Sequence, residues 1–259
     1  MNNKNTLSTY YVLPYIIFSV LFILLPLFVV LYYGFTDRTG HLSLANFIHF
    51  FTNSRTIGTF FYSVVIAFLT TLFCLLLAYP IAYILAKGVY RGRHSFLLVF
   101  VLPMWINFTL RVTALKEILT YFEGNIAMHP FFNTIICMVY DFLPFMILPI
   151  FNSIVKLDDS LIEAGYDLGA TKFQTFVKVI IPLTIPGIVS GVTMVFLPAM
   201  TNYVVLDMVY NSTYIMGSLI GSYFSSYDWN NGSIISAVLL IVIGLMTIIS
   251  NHLINNKKW

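Results

Sequence analysis

Charge is what this sequence has least of. Asp, Glu, Lys and Arg make up only 9% of its 259 residues, against 59% hydrophobic residues, whereas a soluble domain carries about 25% charged residues. A chain of this length could bury a sizeable core, but it has too few charges to cover one in water. Lipid must therefore be the solvent for most of its surface. The net charge of +3 lacks the basic density of a nucleic-acid binder. The two cysteines, Cys74 and Cys137, lie in apolar runs and form neither a disulfide framework nor a metal-ligand pattern; they read as small buried apolar residues. No Gly-Lys-Ser or Gly-Lys-Thr occurs, so the chain has no phosphate-cradling loop of its own. His41, His49, His94, His129 and His252 are scattered over span ends and loops with no His-Glu-x-x-His, which argues against a membrane enzyme. The alternating pattern of a membrane barrel is also missing.

What the sequence does have is long apolar runs. Crossing the hydrocarbon takes about 20 apolar residues, and six stretches qualify: Tyr11 to Tyr33, a span within Thr56 to Ala86, Ser95 to Leu110 (short and ended by Arg111), Phe131 to Val155 (interrupted only by Asp141), Leu183 to Leu206, and Ile234 to Ile254. Lipid leaves no backbone polar group a partner outside the segment, so each run is expected to be a helix. The uncharged run from Tyr10 to Thr36 is too long for a signal-peptide core, and no small-residue cleavage site follows it, so it reads as a retained first helix. With no linker, repeat or low-complexity tract, residues 1–259 are expected to form one all-α transmembrane domain.

Lys and Arg orient such a chain. With the N-terminus inside, the inside segments hold nine of them: Lys4, Lys87, Arg91, Arg93, Lys156, Lys172, Lys178, Lys257 and Lys258. The outside segments hold four, namely Arg38, Arg55, Arg111 and Lys116. The asymmetry predicts both termini in the cytoplasm, and the cluster from Lys87 to Arg93 is its strongest vote.

One inside segment, about 156–182, has internal design. Ser160 followed by Glu163 reads as a capping box that starts a helix, and Gly169 is placed to end it in the left-handed conformation. Thr171 followed by Gln174 is a second capping box, opening a helix that runs toward Pro182, where the chain is expected to turn into the fifth span. Gly165 and Gly169, four apart, would share a face that lets a partner approach closely, with Ala164 and Ala170 keeping the surroundings small and Leu161, Ile162 and Leu168 adding apolar area. Spacing alone leaves two readings open: a helix that docks into another protein, or a connector folded back on the membrane domain.

This segment resembles the signature loop of importer-type ABC transporter permeases: Glu-Ala-Ala, three residues, Gly, nine residues, Ile, one residue, Leu-Pro. Glu163, Ala164, Gly169 and Pro182 match; Gly165, Val179 and Ile181 depart mildly. Similarity extends from the second span to the C-terminus, in particular to the first permease subunit of spermidine/putrescine transporters. It is carried by Leu102-Pro103-Met104-Trp105 through Leu110-Arg111, Leu143-Pro144-Phe145-Met146 with Pro149, Gly169 to Phe176, Ile181 to Gly187, and Leu197-Pro198-Ala199-Met200. The resemblance implies a type I importer permease that binds no cofactor itself. Its expected partners are a second homologous permease, two cytoplasmic ATPases that hold ATP and Mg, and an extracytoplasmic substrate-binding protein. It also places Glu163, Ala164, Gly165, Gly169 and Pro182 in the ATPase-coupling segment.

A polyamine needs carboxylates for its charge and aromatic faces for cation–π contact. Asp141, beside Tyr140, is a charge in mid-span, either a cation contact on the pathway or a structural bond to a neighbouring helix. Asp207, after Tyr203 at the outer end of the fifth span, is the better pathway candidate, and Trp105 either lines the path or packs. No Lys or Arg occurs between Lys178 and Lys257, so the outer loop with Asp207, Tyr210, Tyr214, Tyr223, Tyr227, Asp228 and Trp229 is acidic and aromatic. That composition also suits an ordinary interfacial aromatic belt. Two alternatives stand beside this reading: an importer permease for iron, thiamine or an inorganic anion, and an autonomous channel or secondary carrier.

Overall fold

The computed structural model describes residues 12–37, 39–88, 92–209 and 214–255. Of the residues singled out above, Lys4, Tyr10, Tyr11, Arg38, Arg91, Tyr210, Lys257 and Lys258 lie outside them. The described chain is helical: α1 (Val12–Gly34), α2 (Ala45–Thr52), α3 (Ser54–Lys87), α4 (Arg93–Val101), α5 (Phe108–Glu123), α6 (Pro130–Val155), α7 (Asp159–Asp167), α8 (Lys172–Thr201), α9 (Tyr203–Val209), α10 (Met216–Ser225) and α11 (Trp229–Asn255). Five of these, α1, α3, α6, α8 and α11, are long and apolar enough to cross a membrane.

The sequence predicts a single helix ending at Leu110 for the third span; the structure breaks it. After α4 a 3-10 turn covers Leu102–Trp105, Ile106 is extended, and Asn107 caps α5 by accepting from the backbone N–H groups of Thr109 (2.9 Å) and Leu110 (3.4 Å). Pro103 and the Asn107 cap thus split one apolar run into two helices bent by 96°. The bent pair still carries the chain across. Lys87, at the end of α3, is ion-paired with Asp159, just beyond α6, so α3 and α6 end on the same side. The 26 residues of α6 rise about 39 Å, more than the hydrocarbon thickness. Its start therefore lies on the opposite side, and the segment between α3 and α6 must cross. Counting the bent pair as one span, the described chain has six segments long and apolar enough to cross a membrane.

The fifth span also departs from expectation. The chain does not turn at Pro182; α8 runs unbroken from Lys172 to Thr201 through a π turn at Phe176–Ile180. A proline ring collides with the carbonyl four residues earlier in a regular α-helix, and the widened turn directly before Pro182 relieves that clash.

The helices form two compact units. One draws on Met1–Gly58 and Leu219–Val242. In it two asparagine side chains serve the open carbonyls at the end of α1: Asn46 donates to Thr36 O (2.8 Å) and Gly34 O (3.2 Å), and Asn230 to Thr36 O (2.6 Å) and Tyr33 O (3.0 Å). The other draws on Thr59–Ser218 and Ile243–Trp259 and is centred on α6, whose buried residues include Cys137, Met138, Met146, Ile147, Ile150 and Ile154. Cys74 and Cys137 are both buried and outside any disulfide, and the Cys74 thiol donates to Val139 O (3.7 Å).

In the second unit α8 packs on α6 along small residues. A Cβ at Gly187 would lie 2.4 Å from Ser153 Cβ and 2.8 Å from Pro149 O, and one at Gly191 would lie 2.6 Å from Met146 Sδ. Gly244 in α11 has no such neighbour. Gly187→Ala is therefore expected to destabilise the protein by about 1–3 kcal/mol, as an overpacked core does, while Gly244→Ala is close to neutral. Thermal unfolding in detergent checks the contrast, and equal midpoints for the two variants would refute it.

Candidate functional site

Helix α7 is the first half of the segment that the sequence singles out. Its N-cap is Asp158, not Ser160: the Asp158 carboxylate accepts the Ser160 backbone N–H at 3.0 Å, which holds its pKa below the usual carboxylate range. Asp158 lies one residue ahead of α7 with extended backbone, the geometry a cap requires, and leaves Ser160 inside the first turn. Glu163 is accordingly not a capping residue; it and Ala164 are exposed.

Gly169 ends the helix as expected. It has φ +79°, its N–H donates to Tyr166 O (2.8 Å), and that of Ala170 donates to Gly165 O (3.1 Å), the paired bonds of a Schellman cap. The Thr171–Gln174 capping box forms in both directions, Gln174 N–H to Thr171 Oγ1 (3.3 Å) and Thr171 N–H to Gln174 Oε1 (2.9 Å).

The expected glycine face does not exist. Gly169 is outside the helix, and Gly165 is buried against its own chain, where a Cβ would lie 3.3 Å from Thr175 Cγ2 and 3.7 Å from Val179 Cγ2. Gly165 thus closes the two halves of the segment on each other, and Pro182 lies beyond, within α8. The surface left open carries Leu161, Glu163, Ala164, Leu168 and Phe173, with Leu168 88% and Phe173 75% exposed.

Asp141 and Arg111 are brought together. Arg111 Nη2 lies 2.5 Å from Asp141 Oδ1, with side chains 7% and 3% exposed. The contact is an ion pair by distance, without the alignment of a hydrogen bond, and Arg111 Nε and Nη1 have no partner among the described residues. Of the two readings of Asp141, the structure supports the structural one: its carboxylate already holds a cation from a neighbouring helix. Arg111 in turn is not a loop charge. Tyr140, one residue away, lines a different space, an apolar groove of about 440 Å³ among Phe73, Leu77, Phe132 and Leu143. The two neighbours therefore do not act together.

Asp207 is exposed on α9, a short helix separated from α8 by Asn202. Tyr203, four residues earlier and 47% exposed, shares its face. Helix α9 packs on α5 and α6, the helices that bear Arg111 and Asp141. Trp105, 80% exposed, stands at the bend just before α5. Asp207, Tyr203 and Trp105 are thus presented outward and not packed away.

The first unit carries a feature built from two distant parts of the chain. A cleft of about 620 Å³ is lined by Tyr32, Tyr33, Asp37, Tyr227, Asp228 and Trp229, among others. Its second half is legible in the sequence as the acidic, aromatic outer loop; Asp37 and the tyrosines at the end of α1 are not, because they come from the opposite end of the chain. Both carboxylates also fold their own loops. Asp37 accepts from Thr39 Oγ1 (2.6 Å), Thr39 N (2.8 Å) and His41 N (3.0 Å), bonds that lower its pKa, and Asp228 accepts from Asn231 Nδ2 (2.8 Å).

Breaking a buried ion pair from one side strands the other charge, at a cost of about 3–5 kcal/mol. Arg111→Ala and Asp141→Asn are each expected to lower the unfolding midpoint or accumulation of the protein sharply, and Arg111→Met with Asp141→Leu together is expected to recover most of the loss. Single variants as stable as the unaltered chain would show that the pair does not hold these helices.

With this geometry in view, the chain can be compared with known proteins. Residues 52–258 match the family of the binding-protein-dependent transport system inner membrane component. The chain is 35% identical to the spermidine/putrescine transport system permease protein PotB of Escherichia coli over 263 aligned positions, covering 92% of this chain and 95% of that one. It is 35% identical to the protein of the same name from Haemophilus influenzae, covering 93% and 94%. Among solved structures, a chain of a bacterial ABC transporter involved in import of the acidic polysaccharide alginate superposes with a TM-score of 0.79 at 15% identity, covering 99% of this chain and 97% of that one; at that identity the likeness is one of fold. Six candidate spans, the capped segment between α6 and α8 and the family match over most of its length agree: this chain belongs to the binding-protein-dependent transport system inner membrane components.

Proposed function

We propose that the chain is one permease subunit of an ATP-driven importer that carries polyamines such as spermidine and putrescine into the cell. It works with a second homologous permease, two cytoplasmic ATPases that hold ATP and Mg, and an extracytoplasmic binding protein. The observation that carries this reading is the coupling segment, α7 and the start of α8, in a chain 35% identical to polyamine permeases over more than nine-tenths of its length.

Helix α7 is stiffened by caps at both ends and offers Leu161, Glu163 and Ala164 outward, with Leu168 at its end and Phe173 at the start of α8 exposed beside them, apolar area flanked by carboxylates, as a helix that seats in a groove requires. Closure of the ATPase pair on ATP drives this helix, and the spans switch between inward-facing and outward-facing states. Both termini are cytoplasmic: with Arg111 buried in an ion pair, the outside loses one of the four cations counted against this orientation.

The substrate class follows from charge and aromatics. The face shared by Asp207 and Tyr203 pairs a carboxylate with a ring, and the cleft at the end of α1 does so again in the other unit. An ammonium group gains from both partners. The chain segment from Val179 to Asn256 contains no Lys or Arg to repel it.

In source cells lacking this chain, uptake of labelled spermidine and putrescine is expected to fall. The unaltered chain restores it, and Glu163→Ala does not, while remaining in the membrane and co-purifying with less ATPase. Asp207→Asn should weaken uptake by roughly tenfold or less, the scale of one partly exposed charge contact, with assembly intact. Undiminished polyamine uptake after deletion, in cells with no second polyamine system, would reject the substrate class. Normal ATPase recovery with Glu163→Ala would reject that residue's docking role.

A further inference from the structure

The coupling segment is attached to the membrane helices at one well-defined place. Phe176, the first residue of the π turn in α8, stands between two tyrosines of α3 spaced four residues apart. Its ring meets Tyr83 at 5.1 Å and 80°, and Tyr79 at 5.6 Å and 86°, both edge-to-face. Tyr79 also shares a hydrogen bond of 2.8 Å with Thr184 Oγ1, beyond the π turn, and Thr184 Oγ1 donates back to Ile180 O at 2.9 Å. Tyr79 thus holds α8 at the start of its widened turn and again just beyond it.

On the other flank of Phe176, Thr175 and Val179 close on Gly165 of α7. A continuous packed path therefore runs from α7 through Thr175 and Phe176 to Tyr79 and Tyr83. Lys87 of α3 also reaches Asp159 of α7 and, just ahead of that helix, Leu157 O (3.4 Å), and Tyr83 itself lies close enough to Tyr166 of α7 for the two to interact. The Asp159 side chain is 76% exposed, and solvated ion pairs of this kind hold little.

We propose that Phe176, clasped by Tyr79 and Tyr83, is the joint that passes movement of α7 to the long span α3, with the π turn beside it as the part of α8 that yields. A π turn has looser hydrogen bonding than the helix around it, so displacement concentrates there while the aromatic clasp carries the push sideways into α3. Phe176 is a positioning residue: it acts through α3 and is not exposed like the docking surface of α7. The inference rests on the importer reading given above.

The test uses the assembled transporter in proteoliposomes, with four readouts: ATPase recovered with the complex, basal ATP hydrolysis, hydrolysis stimulated by spermidine-loaded binding protein, and spermidine uptake. Phe176→Ala is expected to keep ATPase recovery and basal hydrolysis while losing stimulation and uptake by roughly tenfold. Phe176→Tyr, which keeps the ring, should restore both. Tyr83→Leu, at a half-buried position, should show the same split in weaker form.

Stimulation and uptake left whole in Phe176→Ala would overturn the joint. So would loss of ATPase recovery in step with uptake, which is the mark of a docking residue. If Phe176→Ala fails to assemble, an assembled Tyr83→Leu with full stimulation overturns it equally. A wild-type complex that recovers no ATPase and shows no stimulation would instead reject the importer reading itself, an outcome distinct from any of these.

Discussion

Within lipid, apolar side chains gain little by leaving one apolar neighbour for another, so helices are held by close contact and by the polar groups they share. The second unit depends on this constraint at the junction of α6 and α8. Gly187 and Gly191 let α8 come near enough that even a methyl group would overlap Ser153, Pro149 or Met146. Pro149 contributes twice. It removes an N–H from α6, loosening that helix, and its carbonyl forms part of the surface that Gly187 approaches. The order of the unit follows from this contact: α6 at its centre, α8 against it, and α9 carried at the end of α8 onto α5 and α6.

Much of this was legible in the sequence because membrane spans are written in one dimension. Spans α1, α3, α6 and α11 fall within a few residues of the apolar runs, since hydropathy and length largely decide them, whereas α8 begins eleven residues ahead of its run. Local caps were equally readable where the chemistry is unambiguous: Gly169 and the Thr171–Gln174 box form as the residue types require. The errors came where a choice depended on contacts distant in sequence. Asp158 and Ser160 are both good caps, and the register of α7 chose the first. Gly165 could serve a partner or its own chain, and only the fold of α7 onto Thr175 decides for the latter.

The broken third span and the unbroken fifth show proline acting in opposite ways. Pro103 coincides with a strong cap at Asn107, so two local signals agree and the helix stops. Pro182 has no cap after it, and the chain accommodates the ring by widening a single turn. Proline alone therefore marks where a helix must adjust, while the residues around it decide whether the adjustment is a break or a π turn.

Arg111 and Asp141 were counted separately in the sequence, one as an outer charge and one as a mid-span charge; together they are neither. A lone carboxylate at mid-depth would cost about 2.5–3.5 kcal/mol to insert, and it would trap any cation that reached it, binding it where nothing competes. Paired with Arg111, Asp141 leaves the interior of the unit without net charge. The carboxylates that remain accessible, such as Asp207, lie at a helix end, where water screens them and a cation that arrives can also leave. The polycation substrate proposed for this chain would need both halves of that arrangement: attraction strong enough to collect it where it enters, and no deep single charge strong enough to hold it.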